Sequence, residues 1–458
     1  MSNQAKYDSL RERFAVFCFQ NYEYFLEDGS FFAKFSFKLE SASLNKTDSV
    51  DFSPCFEIPA RRFYHWESIP REILDVLIFN IGMIELVSYW KIACPKKVVV
   101  KPYHLDDEQI KWWKKLYFNG LGEFFYVNGI KTDFDDFMEI ETDFSAVADC
   151  RESYFSFEGR TLMPVGGGKD SVVTLESLRK KMDIIPLIIN PRGATRDCVN
   201  VAGFTENDTV VINRALDPVM LEMNKQGYLN GHTPFSAMLA FYTVLLGFAT
   251  KSRYIALSNE SSANEPTVPD TEINHQYSKS VAFENDFRRY ISKYVNADIQ
   301  YFSFLRPLNE LQIAKLFSEA KSYHKVFRSC NVGSKTDSWC GHCPKCLFTW
   351  LALSPFLKRE ELASIFGKDL LKDKELAATL EKLDGTAEVK PFECVGTVGE
   401  VSACIEYIVQ HNDNLQDTIL DGRCSNTELS VEDYISQYDE NNNLPALFEK
   451  ILKGKLNG

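Results

Sequence analysis

The chain has 458 residues, 45% hydrophobic and 25% charged, a composition that excludes a disordered protein and, at roughly 150 residues per domain, supports two or three packed cores. Lys and Arg total 51 against 64 Asp and Glu, a formal charge of -13, so the summed field disfavours nucleic acid as a partner. The opening MSNQAKYDSLRERF lacks the basic-then-apolar order of a secretion signal, and no uninterrupted run of about 18 apolar residues offers a membrane span, which leads to the expectation of a cytoplasmic protein with no membrane partner.

The 35 Phe are concentrated in the first third, where FFAKFSFKLE (31–40) alternates apolar and polar residues as a half-buried strand does and VDFSPCFEIP (50–59) pairs with it. EILDVLIFNIGMIELVSYWKIA (72–93) and DDEQIKWWKKLYFNGLGEFFYVNG (106–129) follow as two helices, the second closed by glycine. Residues 1–155 thus form an N-terminal α+β module without a local catalytic motif.

In the middle third, short apolar strands alternate with amphipathic helices: TLMPV, a helix over 171–182, IIPLIIN, DTVVINRAL, the helix PFSAMLAFYTVLLGFAT, and YIALSNESS. This alternation predicts an α/β fold with a parallel, doubly wound sheet over 156–367, whose ligands bind beyond the carboxyl ends of the strands. The polar clusters GGGKDS, NPRG and SNESSANE each follow a strand directly. Two helices come after Cys346, then a charged stretch from Lys368 to Glu381 that reads as a helical linker, and 368–458 form a mainly helical C-terminal segment. Nothing in the sequence sets an oligomeric state.

Three glycines join TLMPV to the helix that follows. Backbone N–H groups at a helix N-terminus lack internal partners, and glycines let a loop close around phosphate without a Cβ in the way. Lys169 adds a positive charge, and Asp170 and Ser171 are placed to cap the helix. The stretch Gly166, Gly167, Gly168, Lys169, Asp170, Ser171 matches neither G-x-x-x-x-G-K-[ST] nor G-x-G-x-x-G. It resembles the S-G-G-x-D-S loop of the PP-loop, or N-type, ATP pyrophosphatases, with Gly166 in place of the leading serine. That resemblance spans roughly Gly159 to Trp350 and includes FLRPLNELQIAKLF. It implies ATP as co-substrate, with further contacts from Asn190 after the second strand and from Asn259 and Glu260 in the closing loop, and Asp170 or Glu260 placing Mg2+.

Of twelve cysteines, eight are scattered; Cys18, Cys55 and Cys94 read as small buried hydrophobes. The other four, Cys330, Cys340, Cys343 and Cys346, are spaced C-x9-C-x2-C-x2-C, a ligand set for structural Zn2+, with a catalytic metal, a redox role and an iron–sulfur cluster as the alternatives. His342 lies inside the cluster as a substitute ligand. The cluster resembles the zinc site of 7-cyano-7-deazaguanine synthases, themselves PP-loop enzymes.

EINHQYSKSVAFENDFRRY (272–290) brings an imidazole, a phenol and an ammonium into six residues, types that suit an anionic substrate and proton transfer. His275, Tyr277 and Lys279 are all candidates for the base, with His232 in reserve. Taken together, the β-rich start, GGGKDS, SNESSANE, NHQYSKS and the cysteine cluster resemble the UDP-N-acetyl-α-D-muramoyl-L-alanyl-L-glutamate epimerases over nearly the whole chain. The resemblance implies inversion of the terminal L-glutamate of a UDP-linked muramoyl dipeptide through an adenylated carboxylate, with release of AMP and pyrophosphate. The other readings are a PP-loop nucleobase-modifying enzyme of the 7-cyano-7-deazaguanine synthase kind and a non-catalytic ATP-binding regulator.

Overall fold

The structure is a computed structural model that describes residues 2–43, 48–142, 155–412, 414–423 and 427–456. Cys150 and Cys424, two of the scattered cysteines, lie outside the described residues. Eleven strands are described: β1 (Phe14–Glu27), β2 (Ser30–Ser41), β3 (Val50–Phe52), β4 (Cys55–Ile58), β5 (Lys97–Val100), β6 (Glu139–Thr142), β7 (Glu158–Pro164), β8 (Ile184–Ile189), β9 (Val210–Ala215), β10 (Ser252–Leu257) and β11 (Gln300–Ser303). The chain forms two compact units. The first comprises Met1–Leu162, Val210–Ile255 and Asn285–Gln300; the second comprises Met163–Thr209, Ala256–Glu284 and Tyr301–Gly458.

The first unit is built on an aromatic hairpin. Asp28 and Gly29 both take positive φ, 48° and 76°, the turn that matches the twist of two antiparallel strands, and β1 pairs with β2 across it. β2 also pairs antiparallel with β3 and β4, and β4 with β9, whereas β5 runs parallel to β1 and β6 parallel to β5. The sheet is therefore mixed, which corrects the purely parallel sheet expected from the middle third. A two-residue turn can join only antiparallel neighbours, so the hairpin imposes that sense on its strands.

Alternate residues of β2 are buried, and Phe19 stacks on Phe79 of helix Arg71–Trp90 at 5.8 Å. A Cβ on Gly82 would come within 2.4 Å of the Phe19 ring, so this helix can lie so close only with glycine there. The helix is long and apolar enough to cross a membrane, yet residues 76–90 are all buried, as in the core of a packed body. Its Glu85 binds Arg214 through both carboxylate oxygens, one of them at 2.7 Å from Nη2, and the Tyr242 hydroxyl donates to Oε1 at 3.3 Å. The expected second helix is two, Asp107–Gly120 and Gly122–Val127, parted at the fully buried Leu121. Cys18 and Cys94 are buried as expected, but Cys55 is exposed on β4.

β7 and β10 are parallel neighbours, with Ile255 opposite Leu162, and both strands run on into the second unit. There the Val165 N–H donates to the Leu187 carbonyl at 2.8 Å and the Phe304 N–H to the Leu257 carbonyl at 2.7 Å, which puts the ends of β7 beside β8 and of β10 beside β11. Helices dominate the rest, among them Lys169–Leu178, Glu310–Glu319, Pro344–Leu353 and Val398–His411. The expected linker at Lys368–Glu381 is instead packed chain: Leu370, Leu371 and Leu376 are buried in two 3-10 turns that lead into helix Ala377–Leu383.

Replacing Glu85 with Ala removes the carboxylate facing a mostly buried guanidinium. The expected cost is about 3–5 kcal/mol, read as a lower midpoint of urea unfolding; an unchanged midpoint would show that the pair does not hold this core together.

Candidate functional site

The residues assigned to the site from sequence lie in the second unit, except the reserve base His232, which belongs to the first and sits 3.2 Å from Glu123. β7 ends at Pro164, and the chain turns through Gly166–Gly168 into helix Lys169–Leu178. Gly167 has φ 80°, and a Cβ there would meet the backbone of Ala194 and Thr195 at 2.9–3.1 Å, so only glycine fits. Its carbonyl accepts from the Arg328 N–H at 2.8 Å. A Cβ on Gly166, by contrast, would meet nothing within 4 Å, so packing within the protein does not require glycine there.

The helix begins without a side-chain cap. The expected capping by Asp170 and Ser171 does not occur, because Asp170 accepts from Lys169 and the Ser171 hydroxyl donates to the Gly168 carbonyl at 2.9 Å. Nearby, the Ala194 N–H at the start of helix Gly193–Val201 donates to Asp337 Oδ1 at 3.0 Å. One helix start is thus occupied by a carboxylate, while that of the glycine loop has no side chain on it.

Behind the loop lies a buried charge cluster. Lys169, only 3% exposed, donates from Nζ to both Asp170 and Glu310. Burial opposes its charge, but the two carboxylates outweigh burial and hold the ammonium well above its ordinary pKa. Burial also pushes Glu310 well up; Lys169 opposes this, while Asp170, Glu260 and Glu400 add to it. Glu260 is raised too, first by burial, with Lys279 lowering it and Asp170 raising it again. Glu400 joins two helices: its Oε1 accepts from the Glu310 N–H at 2.7 Å and the Ser262 hydroxyl at 2.8 Å, and its Oε2 from the Thr397 N–H at 2.6 Å. Asp170, Glu260 and Glu400 therefore crowd around Glu310, and an added cation would relieve that crowding.

Arg306, fully buried, donates to the Glu260 carbonyl at 2.5 Å and to the Lys279 carbonyl, and is 3.3 Å from Glu284. One guanidinium thus fixes both the loop after β10 and the polar segment 274–280. In that segment the His275 N–H donates to Thr267 Oγ1 at 3.0 Å, the Tyr277 ring lies 6.1 Å from Phe283, and Lys279 Nζ donates to Cys394 Sγ at 3.2 Å. The His275 side chain hydrogen-bonds the same sulfur. Burial opposes a thiolate at Cys394, but Lys279, Lys345 and His275 hold the thiol well below its ordinary pKa. Asn259 donates to Ser303 Oγ at 3.0 Å, and Asn190 is exposed just past β8 with φ 49°. Ser258 Oγ and Gln276 Oε1 are buried with no hydrogen-bond partner among the described residues, as polar atoms kept for a ligand would be.

The structure thus brings Lys169, Asp170, Glu260, His275 and Lys279 into one connected network and adds Glu310, Arg306, Glu400 and Cys394. Glu310 and Arg306 stand within FLRPLNELQIAKLF, where the signal was present but not read residue by residue. Cys394, a single cysteine in a loop, had no spacing to mark it.

The four clustered thiols approach one another as expected. Cys330 and Cys343 Sγ are 3.7 Å apart, Cys340 and Cys346 3.7 Å, and Cys343 and Cys346 3.5 Å. A tetrahedron with zinc–sulfur bonds of about 2.3 Å has edges of about 3.8 Å, so the set fits one such ion and no pair is at disulfide length. The Gly333 N–H donates to Cys330 Sγ at 3.1 Å, whereas the His342 ring meets the Cys340 carbonyl at 2.8 Å.

Two family models match the chain: the MurL N-terminal domain over residues 8–304 and the MurL C-terminal domain over residues 325–435. The first covers the glycine loop and segment 274–280, the second the cysteine cluster and Cys394. Three curated proteins named UDP-N-acetyl-alpha-D-muramoyl-L-alanyl-L-glutamate epimerase are similar to it. That of Xanthomonas oryzae pv. oryzae is 34% identical over 387 residues, covering 81% of this chain and 84% of the relative. That of a Micromonospora species is 35% identical over 333 residues, covering 71% and 73%, and that of Salinispora tropica 36% over 327 residues, covering 70% of each. No solved structure is significantly similar to the chain.

Metal analysis of the purified protein should find about one zinc per chain, and Cys343→Ser should lose it with a marked fall in Tm, since such sites contribute on the order of 10 kcal/mol to folding. A metal-free protein with an unchanged Tm would contradict the zinc assignment.

Proposed function

The chain belongs to the MurL family, and on that premise we propose that it is an ATP-dependent epimerase inverting the terminal L-glutamate of UDP-N-acetyl-α-D-muramoyl-L-alanyl-L-glutamate, in the synthesis of peptidoglycan precursors. The observation that carries the ATP-dependent part is the glycine loop entering an uncapped helix with Lys169 behind it. A loop of this build holds the phosphates of a nucleotide, in keeping with a PP-loop type of catalytic domain.

The chemistry requires activation. Next to a free carboxylate a Cα–H is very weakly acidic, because the carbanion would form beside a negative charge. Joining that carboxylate to AMP removes the charge and lets the C–H electron pair delocalise as an enolate. In this reading the glycine loop and the first-turn N–H groups of helix Lys169–Leu178 receive the pyrophosphate as it leaves ATP, and Lys169 offsets its charge. Asp170 and Glu260 are the residues that would hold Mg2+, which when bound neutralises phosphate charge; the crowded carboxylates fit a cation. Ser258 and Asn259, at the carboxyl end of β10, stand where substrate polar groups arrive. A base takes the α-proton, a proton returns to the opposite face, and water releases AMP and the D-glutamyl product. Both substrates are water-soluble nucleotides, which makes this a cytoplasmic reaction.

With the dipeptide substrate and ATP in deuterium oxide, deuterium should enter the glutamate α-position only when ATP is present, and AMP and pyrophosphate should accumulate. Lys169→Gln should lower the exchange by about 10²–10³-fold. Deuterium uptake without ATP would refute the adenylation step, and no uptake at all would refute the epimerase.

A further inference from the structure

Of the three candidate bases in segment 274–280, two turn toward one atom of a residue far away in sequence. Lys279 Nζ lies 3.2 Å from Cys394 Sγ, and His275 hydrogen-bonds the same sulfur. An ammonium that is donating a hydrogen bond cannot accept the substrate's proton, so Lys279 is the partner of a base rather than the base itself.

Resting on the epimerase reading above, we propose that Cys394 is the catalytic residue that exchanges the α-proton of the substrate's glutamate, with Lys279 and His275 positioning its sulfur. Its placement is built rather than incidental. Gln276 Nε2 donates to the Val395 carbonyl at 3.4 Å, and Lys390 Nζ donates to the Gly396 carbonyl at 3.0 Å and to Glu265, so the loop is tied down on both sides of the cysteine. Arg306 holds the Lys279 backbone and the Glu260 backbone together, which links the sulfur to the charge cluster behind the glycine loop. The residue is half-buried, unlike Cys94, Cys198 and Cys404, whose thiols sit in the core and are pushed up by burial. The charged and titratable groups around the sulfur are Lys279, Lys345 and His275, with Glu260 and Glu393 on the acidic side.

The step balances without an oxidant or a reductant. The thiolate takes the α-proton of the glutamyl adenylate and becomes a thiol, while the C–H electron pair moves into the enolate. A proton drawn from water then reaches the opposite face of Cα and the thiol gives its proton back to water, so the net change is inversion alone. A thiol titrates near neutral pH when cations flank it, the range in which a general base works best.

The test uses full-length protein with ATP and UDP-N-acetylmuramoyl-L-alanyl-L-glutamate. Two readings are taken: α-deuterium uptake in deuterium oxide, and substrate-dependent exchange of pyrophosphate into ATP, which reports adenylation without proton transfer. Cys394→Ser and Cys394→Ala should each lower the ratio of the first to the second by about 10²–10⁴-fold. Lys279→Gln should move the alkaline-rising limb of deuterium uptake upward by about 1–3 pH units, a change that a purely structural lysine would not cause. The assignment is overturned if the ratio is unchanged in Cys394→Ala, if both readings fall together, or if the limb stays in place. Wild-type protein that takes up no deuterium overturns the epimerase reading itself, whereas active wild type with an unchanged variant ratio overturns Cys394 alone.

Discussion

A single buried ammonium organises the second unit. Lys169 sits at the first position of the helix that follows the glycine loop, and it keeps its charge only because Asp170 and Glu310 surround it. A buried lysine without such partners would give up its proton. The arrangement orients several parts at once. Glu310 begins a helix whose first N–H is held by Glu400, and Glu400 also caps helix Val398–His411 and takes the Ser262 hydroxyl from the loop after β10. Loop, strand end and two helices therefore meet around one charge.

Arg306 plays the matching part for the polar segment. It carries the backbones of Glu260 and Lys279 on one guanidinium, and Lys279 in turn engages Cys394. Buried cations of this kind are costly unless fully partnered, so their presence just past the carboxyl ends of β7 and β11 marks a place where the fold gives up stability for charge placement. In the proposed adenylation and proton transfer, the uncapped helix start would take the pyrophosphate, the crowded carboxylates a cation and the cation-flanked sulfur the α-proton.

Much of this was legible in the sequence for identifiable reasons. FFAKFSFKLE reads as a strand because its alternation is unbroken, and GGGKDS stands out because three glycines between strand and helix have no ordinary use. The strand before them, β1, escaped notice because register shifts near Phe14 and Phe19–Asn21 break its period of two. With it went the antiparallel hairpin, and hence the mixed character of the sheet. The Lys368–Glu381 stretch looked like a linker because its buried leucines sit in 3-10 turns, which show no helical period. Cys394 carries no local signal at all, and Glu400 shows only as the last member of a Thr397-x-x-Glu400 capping box. They acquire meaning only from the side chains that folding brings beside them, whereas the C-x2-C spacing of the cysteine cluster announces itself.

In the proposed reaction the substrate's glutamate carboxylate is joined to AMP at the glycine loop, and an isotope follows that bond directly. Substrate labelled with oxygen-18 in the glutamate α-carboxylate, turned over with ATP in ordinary water, should yield AMP carrying one labelled oxygen, because hydrolysis of the glutamyl adenylate leaves that oxygen on phosphorus. Epimerised product formed alongside AMP free of the label would contradict the account.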